Sequence, residues 1–250
     1  MLPVIALPMV MAVAFILLYN FPCLFRAPRA RIHTISVSGP AIIVSDVHIG
    51  SKNSCYTVLR KFIERIGYGT LIVVGDLLDE RVPLNRSAIE SLREAIRALG
   101  LSKGRVIYIA STAGHDIENY LDKTLHISID SIDIYILSGV AKIMVNSCSH
   151  HIYATHGEYV SKDGVAAYIL DKIGRAILRK PITALIAKKV LNVEKNSWVF
   201  TGHSHIMLID TKFRIANTGS WDNRFYAPAQ PGIGVVKCID GKLYVRLFQI

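Results

Sequence analysis

The stretch that decides the fold is Ile42–Ser54, "IIVSDVHIGSKNS". Apolar residues run straight into Asp46, and His48 follows two places later. A short apolar run of this kind reads as a strand buried on both faces, as in parallel sheets. Residues i and i+2 of a strand share a face, so Asp46 and His48 at its mouth can converge on one point. Taken alone, the same letters also describe a capped turn with an incidental histidine. The remainder of the chain decides between the two.

Working outward, the same grammar recurs. "SCYTVLRKFIERI" places Val58, Leu59, Phe62, Ile63 and Ile66 at helical spacing, and "TLIVVGD" is a second buried strand. "RSAIESLREAIRAL" is an amphipathic helix carrying Ile89, Leu92, Ile96 and Leu99, and "RVIYIAS" is a third strand. Strand–helix alternation implies a parallel α/β sheet with helices on its faces. The second half is different. "LHISI", "IDIYIL", "KIMVN" and "HIYATHG" are short β runs, followed by a helical insert over 161–195. Strands then resume as "SWVFTGHSH", "IMLIDT", "FRIAN", "GIGVVKCI" and "KLYVRLFQI". Two packed sheets with helices outside, a four-layer αββα sandwich, is the expected assembly of residues 41–250. No internal repeat or low-complexity tract is present.

Of the 250 residues, 51% are hydrophobic, and much of the excess sits at the start. No charged residue occurs from Leu2 to Phe25, enough for one transmembrane helix over residues 1–25. A cleaved signal peptide expects basic residues before the apolar run. Here Arg26, Arg29 and Arg31 follow it, in a linker and entry strand over 26–40. The positive-inside rule then predicts a membrane-anchored protein whose catalytic domain is cytoplasmic. Cys23, Cys55, Cys148 and Cys238 form no CxxC pair, so neither a zinc ribbon nor a disulfide framework is expected, in keeping with a cytoplasmic body.

The formal charge is +10, and Ser161–Lys195 supplies eight basic residues against three acids. That block predicts contact with membrane lipid or with a phosphorylated or pyrophosphate-containing substrate; it also fits a solvated helix face. Within it, Arg175, Arg179 and Lys180 are the candidates for substrate binding. "VAAYILDKIGRAILRK" and "PITALIAKKVLNV" are amphipathic, and can cover the sheet or lie at a membrane interface. No aromatic-and-basic groove is apparent, and no nucleic acid is expected as a partner.

The polar residues fall at the strand ends. Asp46 and His48 close the first strand, Asp76 and Asp79 the second ("VVGDLLD"), and His115 and Asp116 follow the third ("STAGHD"). His156 ends "YATHGE", and His203 and His205 end "VFTGHSH". Parallel sheets bind ligands beyond the carboxyl ends of their strands. Five successive elements deliver Asp or His to that edge. His33, His126, His150 and His151 match none of these motifs and read as surface or strand residues.

This ordered series, DxH…GD…GHD…HG…GHxH, resembles the calcineurin-like metallophosphoesterase superfamily from about Ile42 to Trp221. "SDVHIGS", "VVGDLLDE", "THGE", "TGHSH" and "ANTGSW" are most similar to its UDP-2,3-diacylglucosamine diphosphatase branch. The resemblance implies two divalent metal ions, with Asp46, His48, Asp76 and His205 on one, and His156, His203 and a bridging Asp76 on the other. Mixed carboxylate and imidazole donors suit Mn²⁺ best, with Fe²⁺ or Zn²⁺ as the other choices. It further implies that His115 acts at the leaving group or the phosphoryl oxygens, and Asp116 beside it is counted among the catalytic candidates. Asp79 and Asp116 read either as residues that orient a ligand from behind or as turn residues.

One departure stands out. The family has Gly-Asn-His-Asp or Gly-Asn-Arg-Asp, with Asn as a ligand of the second metal, whereas this chain has Ala113-Gly114-His115-Asp116. Either Gly114 replaces the ligand, or His115 replaces Asn and binds metal itself. Asn119 is the nearest amide in sequence. The expected activity is hydrolysis of a lipid- or nucleotide-linked phosphate ester or pyrophosphate at the cytoplasmic membrane face. The alternatives are a phosphodiesterase of the same fold with a small soluble substrate, or a catalytically weakened membrane scaffold.

Overall fold

The computed structural model describes residues 19–21, 23, 30–112, 114–118, 123–146, 148–224 and 227–250. The first half holds β1 (Ile32–Val37), β2 (Ala41–Val44), α1 (Tyr56–Ile66), β3 (Thr70–Val74), β4 (Arg81–Val82), α2 (Arg86–Ala98), β5 (Gly104–Ala110) and β6 (Asp116–Ile117). Next come β7 (Leu125–Ile129), β8 (Ile132–Ser138), β9 (Val140–Val145), β10 (His151–Ala154), α3 (Gly164–Ile177) and α4 (Ile182–Val190). The chain closes with β11 (Trp198–Thr201), β12 (Met207–Asp210), β13 (Ile215–Thr218), β14 (Gly232–Ile239) and β15 (Lys242–Gln249).

These strands form two large sheets. One has the order β15-β14-β2-β3-β5-β8-β7, with β2, β3, β5 and β8 mutually parallel. The other has the order β1-β9-β10-β11-β13-β12, with β10, β11 and β13 parallel. Strand alternation sorts the apolar residues between layers. From β2, β3 and β5, Ala41, Ile43, Ile72, Val74, Ile107 and Ile109 face the second sheet, meeting Ile143, Ile152, Phe200 and Ala216. Their alternates Ile42, Val44, Leu71, Val73, Val106 and Tyr108 face outward, where Leu59 and Ile63 of α1 and Leu92 and Ile96 of α2 cover them. On the far side, Val140, Tyr153, Val199 and Ile215 pack against Ala184 and Ala187 of α4. The result is the four-layer αββα sandwich.

Several expectations need adjustment. Val58, Ile66 and Ile89 lie on exposed flanks of their helices and not in the core. Residues 32–37 are an edge strand paired in parallel with β9, so the entry strand belongs to the six-stranded sheet. Cys148 and Cys238 form a disulfide with a Cα–Cα distance of 5.7 Å, although no disulfide framework is expected from the sequence. Their sequence separation of 90 residues hides the pairing, which arises only when the two sheets stack. Disulfides belong mainly to oxidising compartments, so cysteine usage no longer favours a cytoplasmic body. Of the anchor expected over 1–25, all but residues 19–21 and 23 lies outside the described residues. Among the described residues, no helix is long and apolar enough to cross a membrane.

Candidate metal centre

The strands stop short of the site, and their loops continue the pairing. Asp46 N donates to Gly75 O, His48 N to Asp76 O and Ile49 N to Leu77 O, which zips the β2 and β3 loops together. Gly202 N donates to His156 O across the β10 and β11 loops. Within this frame Asp46, His48, Asp76, Asp116, His203 and His205 all have φ between 49° and 70°. Left-handed backbone is uncommon outside glycine, although Asp and His tolerate it better than most, and it collects at functional sites. Asp46 and His48 therefore converge through left-handed turns beyond the end of β2, not through the pleat of the strand. Two glycines make room. A Cβ at Gly75 would sit 2.1 Å from His156 Nδ1, and one at Gly202 would sit 2.3 Å from Asp46 Oδ2.

The ligand-type side chains meet between the carboxyl edges of both sheets. Asp46 and Asp76 come from the seven-stranded sheet with His48; His156, His203 and His205 come from the six-stranded one. His205 Nε2 lies 3.3 Å from Asp46 Oδ1, His48 Nε2 lies 3.6 Å from Asp76 Oδ2, and His156 Nε2 lies 3.4 Å from Asp76 Oδ1. All six are buried. Three metal-sized groupings result: Asp46 with His48 and His205, Asp46 with Asp76 and His156, and His48 with Asp79 and His115. His203 adjoins the second, its ring 4.9 Å from that of His156.

The donor atoms themselves test the fit of a cation. His48 Nε2, His156 Nε2, His203 Nε2 and Asp76 Oδ1 are buried without a hydrogen-bond partner. Buried polar atoms are normally satisfied, so a convergent set of orphaned lone pairs fits a metal. The opposite ring nitrogens are already engaged. His156 Nδ1 donates to Val74 O at 3.1 Å, and His48 Nδ1 donates to Asp79 Oδ1 at 3.3 Å. Both contacts fix the tautomer that leaves Nε2 able to ligate. Arg224 Nη2 stands 3.0 Å from His48 Nδ1, but two donors cannot bond; its partner is Asp79 Oδ1 at 2.7 Å. Asp79 thus orients His48, and Arg224 steadies Asp79 while its Nε holds Asp222 at 2.6 Å.

The electrostatics follow from this packing. Burial raises Asp76, but His156, His48 and His115 outweigh it and hold the carboxyl well below its usual range. Burial lowers His156, yet Asp76 carries it well above an ordinary histidine. His203 has no such contact, and burial, aided by the charge of His156, pulls it down to about 4. A hydrogen bond from His48, reinforced by Arg224, holds Asp79 at about 2.

Asp116, expected among the catalytic residues, has no exposed surface. Its carboxylate accepts from the backbone N–H groups of Asp76 (2.6 Å), Leu78 (2.9 Å) and Ser111 (2.9 Å). It holds the Asp76 loop from beneath. Burial and the nearby Asp76 charge push its pKa up to about 6. His115 donates from Nδ1 to Asp79 O at 2.6 Å, and its ring is 5.0 Å from that of His48. It therefore stands beside His48, with which and Asp79 it forms a metal-sized grouping. Gly114 has φ +100°, and a Cβ there would meet nothing within 4 Å. Asn119 lies outside the described residues.

Over the centre opens a cleft of about 330 Å³, lined by His48, Asp76, His115, His203 and His205 together with Lys162, Asp163, Gly164, Val165 and Arg224. Arg175, Arg179 and Lys180 do not line it. Arg175 donates to Gln230 Oε1 at 3.0 Å, and Lys180 lies over the Phe213 ring. Sequence reasoning missed Arg224, since "WDNRF" carries no motif, and it counted Lys162 only as one charge of a block. The loop bearing His203 and His205 is held from behind. Ser204 Oγ donates to Asp171 Oδ2 at 2.6 Å and accepts from Asn217 Nδ2 at 3.0 Å, and Asp171 also binds the Thr183 hydroxyl at 2.6 Å. Asn217 of β13 thus braces the loop of His203 and His205, its Nδ2 also donating to Gly202 O at 2.8 Å.

No family model matches the chain, and no curated protein matches it. Among solved structures it is similar to wild-type Vps29 complexed with zinc from Entamoeba histolytica, at 14% identity over 84% of this chain and 98% of that one, TM-score 0.45. It is also similar to an archaeal phosphodiesterase (14%, 84% and 99%, TM-score 0.39) and to a predicted phosphoesterase from Streptococcus pneumoniae (12%, 85% and 98%, TM-score 0.34). Likeness at this distance assigns no activity; the residues of the centre carry that reading.

Proposed function

We propose that the chain is a metal-dependent phosphoesterase. The observation that carries this is the buried convergence of the orphaned His48, His156 and His203 Nε2 atoms with Asp76 Oδ1, roofed by a cleft with Lys162 and Arg224 at its walls. Asp46, His48, Asp76 and His205 would hold one ion, and Asp76, His156 and His203 a second. Such ions screen phosphoryl charge and ease deprotonation of water, and this donor set suits Mn²⁺, with Fe²⁺ and Zn²⁺ as alternatives. His115 keeps Nδ1 on the Asp79 carbonyl, which leaves Nε2 to protonate a leaving oxygen or to bond a phosphoryl oxygen. Lys162 supplies positive charge for an anionic substrate at the lip. Asp116 and Asp79 keep the ligands in place.

The substrate is proposed to be a lipid- or nucleotide-linked phosphate ester or pyrophosphate, met at a membrane. This finer reading is supported by the charge-free run Leu2–Phe25, by the basic insert, and by the resemblance of "SDVHIGS" and "TGHSH" to the UDP-2,3-diacylglucosamine diphosphatase branch. The arginines that follow the run support a cytoplasmic catalytic face. The test is hydrolysis of bis(p-nitrophenyl) phosphate and p-nitrophenyl phosphate by chelator-treated protein before and after Mn²⁺ is restored, alongside metal analysis. Restored turnover with bound metal is expected. Bound metal with no turnover on either ester would instead indicate a scaffold.

A further inference from the structure

The insert helix α3 has two contrasting faces. Ala167, Tyr168, Asp171 and Gly174 are buried; Tyr168 packs with Ile206 and Ala227, and Asp171 holds Ser204 between two ligand-type histidines. At 3.6 residues per turn the opposite face carries Ile169, Ile173 and Ile177. Their exposures are 52%, 52% and 74%, and Leu178 just beyond is 53% exposed. Single exposed apolar residues are ordinary, but spacing of i, i+4 and i+8 makes a continuous ridge where a water-facing helix would be polar.

The charge around the ridge is one-sided. Of the three acids in Ser161–Lys195, Asp171 is buried, Asp163 caps α3 by accepting from Ala166 N at 2.9 Å, and Glu194 accepts from Tyr153 Oη at 3.0 Å. Lys172 and Lys180 lie over the Tyr168 and Phe213 rings, and among the described residues neither pairs with an acid. Tyr19 and Asn20, which belong to the charge-free run of the sequence, lie at this point. Lys162 N donates to Asn20 O at 2.9 Å, and Lys162 Nζ lies 5.2 Å from the centre of the Tyr19 ring. Tyr19 and Asn20 thus meet the protein two residues ahead of the first turn of α3.

We propose that the outer face of α3 docks on a bilayer containing anionic lipids. Ile169, Ile173 and Ile177 enter the acyl boundary, and the neighbouring lysines and Arg179 meet head groups. Gly164 and Val165 of the same helix line the cleft, so docking sets the cleft mouth at the membrane surface. This does not depend on the proposed chemistry.

The experiment uses the full chain in vesicles of phosphatidylcholine, with or without phosphatidylglycerol, made with brominated acyl chains. Ile169→Trp and Ile173→Trp are made singly, with Ile66→Trp on α1, in the opposite outer layer, as the reference. Trp198 and Trp221 are buried, so the added emission reports the new ring. The emission of both α3 variants is expected to be quenched, more strongly with phosphatidylglycerol, while Ile66→Trp stays bright. Unquenched α3 variants overturn the proposal. Blue emission that persists in detergent would then mean that the 2–18 segment covers the ridge, concentration-dependent dimers would mean a second copy does, and red emission would mean water. If one variant fails to fold, the other is read alone.

Discussion

One half of the metal centre is braced and the other is bare. His48 is backed by Asp79, Asp79 by Arg224, and Arg224 by Asp222, while Asp46 accepts the His203 N–H on both oxygens at 3.1 Å. In the other half His156 leans on a single backbone carbonyl. His203 Nε2, like His48 Nε2, is buried without a hydrogen-bond partner, and either Gly114 or His115 stands at the position of the amide ligand that the resemblance implies. A braced ligand is held in its productive orientation before the ion arrives; a bare one must be ordered by the ion. The first half is therefore expected to fill more tightly than the second.

Asp76 faces both halves, so Asp76→Asn gives the largest effect. Metal content and turnover should fall together, by more than the roughly 10–100-fold that loss of a supporting residue costs. A mutant with both metals and full rate would remove the dinuclear reading. Next is His115→Ala, which should lower kcat by roughly 10²–10⁴-fold with metal content unchanged under the proposed role at the phosphoryl group, even though His115 also groups with His48 and Asp79. If elemental analysis instead shows one ion lost, His115 is itself a ligand. Asp79→Asn removes the brace, and titration should show about 10–100-fold weaker binding in the first half alone. Equal weakening of both halves would dissolve the contrast. Gly114→Asn is the gentlest change. The space is open and Asn tolerates positive φ better than most residues, so affinity in the second half should rise modestly. Calorimetry showing no gain would mean that the amide does not reach the ion.

The sequence carried the layers of the sandwich because buried strands and amphipathic helices have different periods, and "TLIVVGD" against "RSAIESLREAIRAL" shows both. It carried the ligand-type residues because parallel strands deliver their following loops to one edge. Three features were not legible. Asp116 looks like a catalytic neighbour of His115, yet its three backbone contacts exist only once the β3 and β5 loops lie side by side. Arg224 reaches Asp79 across 145 residues, and no local pattern encodes a contact of that range. The ridge on α3 was visible as apolar periodicity, but periodicity alone does not say which side of a helix is covered.

The disulfide lies at the far end of the sandwich from the metal centre. β9 runs antiparallel to β10 and β14 antiparallel to β2, so Cys148 and Cys238 sit below the sheets while the ligand loops sit above them. The two sheets are thus joined like the covers of a book, sewn at the spine by a covalent bond and clasped at the fore-edge by whatever the six ligand-type side chains share. Emptying the clasp would leave that edge held by contacts such as the His203 N–H bonds to Asp46. Loss of ions would then loosen the loops that need to move for exchange, while the spine keeps the sheets in register for the ions to return.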